Sequence, residues 1–492
     1  MAVHKRFSLH SAVIYSAVIA FVALFTGCGG GGNSLSFPPP QGPFTNASLN
    51  GPFAFSYTGS DARGFLAVAG SFQADGAGHI TSGMEDINSG FAISTNAAIT
   101  GTYSVRADGR GSANLNSPAG NSVIDFVIVA AGHALITRFD ANATGSGTID
   151  QQTTAAFNNA ALAGTFAFNL SGIDAVNNPM AVVGNLTANA TGTITSGVDD
   201  SNDNGGVITN DPVTGSIPVN SNGRGTATIN TVRGTLTFTF YVVDANHVKL
   251  VEIDAAPVLG GEAFRQTGPF SNASVSGPFA FTLAGADVLN NAAFVAGGVL
   301  TSDGAGNITS GTEDFNDGGI LTSNVGLTGN YSMAATGRGT LTITTGAGTF
   351  NFVIYPSSGG VHALETDIRF VTTGTALQQQ STPFTASAFG GTYGLNFTAL
   401  TSTGNEVDAI AEFTSDGASK LNGIIDLNNN GGITFGQPLT GTFTMAANGR
   451  ATLTLQTPLG TQNMFLYMVD SNRGLFVELN SNIVAAGDIR HQ

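Results

Sequence analysis

The chain repeats itself. Phe44, Phe157, Phe270 and Phe384 stand 113, 113 and 114 residues apart in a sequence of 492. Seven residues after each comes a glycine opening a similar stretch: GPFAFSY at Gly51, GTFAFNL at Gly164, GPFAFTL at Gly277 and GTYGLNF at Gly391. A unit of this length is too long for a propeller blade or a solenoid coil and matches a small domain. The spacing therefore predicts four tandem domains, at 44-156, 157-269, 270-383 and 384-492.

Within a unit the pattern is that of strands. Phe53, Phe55 and Tyr57 share one face of the opening stretch, as do Phe166, Phe168 and Leu170 in the second copy. So do Phe279, Phe281 and Leu283 in the third copy, and Tyr393, Leu395 and Phe397 in the fourth. That is the period of two expected of a half-buried strand. Charged residues make up only 10% of the chain, against 67 Gly and 34 Phe, a balance that favours strands and tight turns over helices. In the third copy eight strands are expected to begin near Gly277, Val295, Gly306, Leu327, Gly339, Thr349, Val361 and Val371. Hairpin connections make them antiparallel. The fold class is all-β, with an up-and-down barrel preferred and a two-sheet sandwich as the alternative, because closure removes exposed strand edges. The candidate strands fall mostly short of the ~9–11 residues that cross a membrane, which argues against an outer-membrane barrel.

The Gly-x-aromatic opening resembles the Gly-x-Trp start of lipocalins and avidins, and LTGNY at 327-331 and LTGTF at 439-443 are similar to the second strand of avidins. That resemblance implies an up-and-down barrel. The chain has no Trp, so biotin binding is not implied.

The N-terminus reads as an address. His4, Lys5 and Arg6 precede the apolar run Ala12 to Phe25, which is too short to span a bilayer comfortably. Leu24-Phe25-Thr26-Gly27-Cys28 then resembles the lipobox of bacterial lipoproteins, with Phe25 departing from the usual Leu. The resemblance implies removal of residues 1-27 and lipidation of Cys28, the sole cysteine. Residues 28-43, with Gly29 to Gly32 and Pro38-Pro39-Pro40, read as a tether between membrane and body. The net charge of −16 excludes a nucleic-acid partner. The expected location is the bacterial cell envelope, lipid-anchored at the outer membrane or cell surface.

One constellation recurs in every copy. Asp86 and Arg110, Asp200 and Arg224, Asp314 and Arg338, and Asp426 and Arg450 are each 24 residues apart. Such spacing predicts that each Asp meets the Arg of its own copy as a bidentate ion pair. The pair would either close one end of the barrel or anchor a ligand in its mouth. Asp140, Asp254, Asp367 and Asn480 follow 29 or 30 residues later, as candidate acceptors for the remaining guanidinium hydrogens. Asp200, Asn202, Asn204, Gly205 and Asp211 fit the spacing of a calcium loop, though hairpin turns explain such Asx/Gly-rich stretches as well.

No recognised catalytic motif accompanies the carboxylates, and no histidine recurs as their partner: His133 and His247 precede their Asp by seven residues, His362 by five, and Arg473 stands in the fourth copy. No cofactor and no catalytic residue are expected. The leading expectation is a non-enzymatic surface lipoprotein whose domains form a projecting string for binding, adhesion or spacing, with an unidentified surface ligand. A small-ligand carrier with one site per barrel is the alternative, and a hydrolase a further reading.

Overall fold

The alternating aromatic faces close into barrels. The structure, a computed structural model, describes residues 43–380 and 382–492. The leader, Cys28 and all of the tether but its last residue lie outside the described residues. In the third repeat, strand Ser276–Asp287 pairs with both Ala292–Asp303 and Phe370–Gln378, so eight antiparallel strands form a closed barrel. The fourth repeat closes in the same way. In the first two repeats the fourth strand is broken in two, Ala92–Ala98 with Thr100–Val105 and Gly206–Pro212 with Thr214–Ser216, and pairing of the second strand with the third completes the ring. The sandwich alternative is thereby overturned.

The strands run longer than the sequence spacing suggests. Strand Ile320–Met333 has 14 residues and begins well before Leu327: the turn is made by Gly318 and Gly319 at positive φ, and Asn324, also at positive φ, lies within the strand. Length therefore no longer argues against a membrane barrel. The interiors do: they hold aromatic and aliphatic cores, the reverse of the polar-in, apolar-out pattern of membrane barrels.

The faces opposite those cores are buried too. Ala54, Ala167 and Ala280 lie between the inward aromatics of their strands and are fully buried. Each packs in an apolar seam with a neighbouring barrel: Ala54 with Tyr241 and Val251, Ala167 with Tyr355 and Leu364, Ala280 with Tyr467 and Val477. Small outward residues let the barrels approach closely, a contact that aromatics at these positions would block. The fourth seam joins the last barrel to the first, through Val127, Val129, Leu135 and Ile410. Here Gly394 replaces the alanine, and a Cβ would stand 2.4 Å from Val129. The four barrels thus close a ring, not the expected string.

Candidate functional site

Each aspartate of the recurring constellation sits on a β-bulge between the third and fourth strands. Its Oδ1 accepts the backbone N–H ten residues on, from Asn96, Asn210, Asn324 or Gly436. All four of those residues have positive φ, which explains why only Asn and Gly stand there. The bulge turns the carboxylate outward, away from its own barrel.

It consequently meets the arginine of the next copy, not its own. Arg224 Nε and Nη2 donate to Asp86 at 2.8 and 2.7 Å, Arg338 to Asp200 at 2.9 and 2.6 Å, and Arg450 to Asp314 at 2.7 and 2.6 Å. Tyr241, Tyr355 and Tyr467 add a hydroxyl to the same carboxylates, and burial together with that negative charge pushes each phenol up from its ordinary pKa. The intra-copy pairing is corrected: the two residues belong to opposite sides of a barrel junction. At the closing junction Arg110 binds Asp108 at 3.0 Å and reaches Asp426 only at 3.6 Å, and Val127 occupies the tyrosine position.

The remaining sequence candidates are also accounted for. Asp140, Asp254, Asp367 and Asn480 accept the backbone N–H of Val123, Thr237, Asn351 and Asn463, pinning hairpins and not taking hydrogens from the recurring arginines. Asn202 Nδ2 donates to the carbonyls of Glu365, Asp367 and Phe370 across a junction, and its Oδ1 accepts from Gly205. Asn204 turns the chain at positive φ, and Asp211 accepts the N–H of Val232. The calcium-loop residues are thus dispersed among separate partners. Among the described residues no group of three or more His, Cys, Asp and Glu is placed to hold a metal.

Two further features were not expected. On the inner side of the ring, Lys249 is buried and its Nζ donates to Glu262 at 2.6 Å, to Thr148 at 2.6 Å and to Asp150 of the first barrel at 2.8 Å. His133 Nδ1 lies 2.6 Å from Asp150, and His247 Nε2 3.2 Å from Glu262. Beside this network is a cavity of about 380 Å³, lined by the first three barrels through Ser56, Asn169, Glu262 and His362 among others.

The second feature is the interior of the third barrel, which holds a cavity of about 410 Å³, while the second barrel holds only about 70 Å³. Its wall is aromatic: Phe294 lies 4.7 Å from Phe370 and 6.0 Å from Phe315, centroid to centroid. Glu313 and Glu365 reach into it. Burial raises Glu313 to about 7, helped by Asp314, and Glu365 to about 8, opposed by a hydrogen bond from Thr372. Arg369 stands at the rim, held by Asp287 and Asp317. Glu365 was legible: in VHALE, Val361, Ala363 and Glu365 share the inward face.

No family model matches the chain, and no curated protein does. Among solved structures it is similar to a mutant of the vaccine antigen transferrin binding protein B from Haemophilus parasuis Hp5, at 10% identity and a TM-score of 0.20, over 93% of this chain and 99% of that one. It is also similar to a protein of unknown function from the DUF3598 family of Nostoc punctiforme PCC 73102, at 10% identity and a TM-score of 0.16, over 68% of this chain and 97% of that one. Likenesses this slight carry nothing about ligand or partner.

Proposed function

We propose that this is a non-enzymatic binding protein of the bacterial cell envelope, anchored by a lipid on Cys28. In this reading the closed ring is the scaffold, and the third barrel carries a small, largely apolar molecule. The observation that supports it is the 410 Å³ interior cavity, within the range of about 300–1,000 Å³ typical of ligand pockets. A packed barrel interior has no need of such a space, since voids cost contacts. The aspartates and arginines of the three bidentate junctions are structural in this reading, because each carboxylate and guanidinium is engaged by the other.

The test is calorimetric titration of the full chain with the neutral probe 1-octanol, beside a variant in which Ala296→Phe fills the pocket. Saturable binding lost in the variant is the expected result; no binding by the native chain overturns the carrier. Anchoring is tested separately by mass spectrometry of the N-terminal peptide, where an uncut leader or a free Cys28 thiol would refute it. Among the described residues no helix is long and apolar enough to cross a membrane.

A further inference from the structure

We infer that the third barrel selects an organic cation, an ammonium group on an apolar body, with Glu313 and Glu365 as its counter-charges. This rests on the carrier reading and adds the ligand's class. It comes from comparing the repeats with one another. Glu85, Asp199, Glu313 and Ile425 occupy one inward position, each paired across to the second strand of its barrel. Arg138, Glu252, Glu365 and Glu478 occupy another, on the seventh strand.

Where two of the other barrels bury a carboxyl at the first position, they also supply a cation. In the first, the Arg138 guanidinium acts on Glu85 and is itself bonded to Tyr57 and Asp140. In the second, Arg233 Nη2 binds Asp199 at 2.8 Å. The fourth has Ile425 at that position, and its Glu478 accepts the N–H of Asn463. The third barrel alone combines two glutamates at these positions with a large cavity. Neither glutamate forms an ion pair among the described residues, and Oε1 of Glu365, a residue only 2% exposed, has no hydrogen-bond partner there. An ammonium in the cavity would stand where a guanidinium stands in the first two barrels.

The surroundings agree with that charge. The groups facing the pair are Asp314 behind Glu313, Asp367 and Asp317 at the lining, and Arg369 at the rim, whose guanidinium Asp287 and Asp317 already engage. The aromatic wall suits a cation as well, since the face of a ring attracts positive charge. Arg369 already lies 4.6 Å over the Phe370 ring. Near pH 7 Glu365 is largely protonated and Glu313 about half so, and an arriving ammonium must displace protons to gain its full counter-charge. Affinity for the cation therefore rises with pH from about 6 to 8.5, until the amine itself loses its proton near the lysine value of about 10.4.

The experiment is calorimetric titration of the full chain at pH 8.5 with 1-octylamine, 1-octanol and octanoate, which share one apolar body. Octylamine should bind at least tenfold tighter than octanol, and octanoate no tighter than octanol. The double variant Glu313→Gln, Glu365→Gln should lose the preference and keep octanol. Equal binding of octanol and octylamine overturns the cation while leaving the carrier standing; a preference for octanoate overturns it too, in favour of carboxyls acting as donors. No binding by any probe removes the carrier and the cation together. If the double variant fails to fold, the native chain still decides: octylamine affinity must climb between pH 6 and 8.5 while octanol stays flat, and a flat octylamine profile refutes the proposal.

Discussion

Glu313 and Glu365 show how burial at a single residue becomes a property of the whole chain. Their carboxyls are raised from about 4.5 to about 7 and about 8, as are Glu406 to about 8 and Glu478 to about 8. In each case the folded state holds a proton that the unfolded state has released. Stability from these groups is complete below about pH 4.5 and is lost as pH rises through 7 and 8. The ligand-free protein is thus expected to have a higher urea midpoint at pH 5 than at pH 8.5, and Glu365→Gln to reduce that difference; a midpoint rising with pH would contradict the assignment. The junction residues give a second test. Asp314→Ala leaves Arg450 and Tyr467 facing a buried gap and should cost about 3–5 kcal/mol in chemical denaturation. Asp426→Ala should cost clearly less, because Arg110 keeps Asp108. Residue types and spacing were legible here, but the partners were not: Asp200 lies 24 residues from the arginine it was expected to meet and 138 from the one it does.

Among the elements, the bulged hairpins and the glutamines that end each repeat carry the ring. Gln152 donates to Val242, Gln266 to Gly337 and Pro356, and Gln379 to Asn448 and Met468. Gln492, the last residue, donates to Asp108 and Ile128 of the first barrel, both at 2.9 Å. The closing junction lacks the tyrosine and the bidentate arginine of the other three, so it leans harder on this contact. Gln492→Ala should destabilise by about 1–3 kcal/mol, the cost of leaving buried carbonyls unpaired. Hydrogen exchange should then quicken first in Ser122–Ala130 and Glu406–Asp416, the strands that flank this junction; uniform quickening in all four barrels would show the junction to be no weaker than the rest. Strand existence was readable from the period of two, whereas the bulges were not. A bulge changes the facing of one residue without altering the composition around it.

Over the whole molecule, the four barrels share buried seams and cannot be independent beads. An excised 270–383 would expose Ala280, Val295 and Leu377 on one side and Tyr355 and Leu364 on the other. It should elute as oligomers in size exclusion with light scattering, and a stable monomer would refute the account. The amino-acid sequence by itself determined the repeat, the strands and the inward face of each, because alternation and turn chemistry act within a few residues. Only tertiary structure decided that the barrels meet in a ring, which arginine each aspartate holds, and which interior stays open. Every copy carries both halves of the junction, so nothing local separates a partner in the same unit from one in the next; the outward bulge makes that choice.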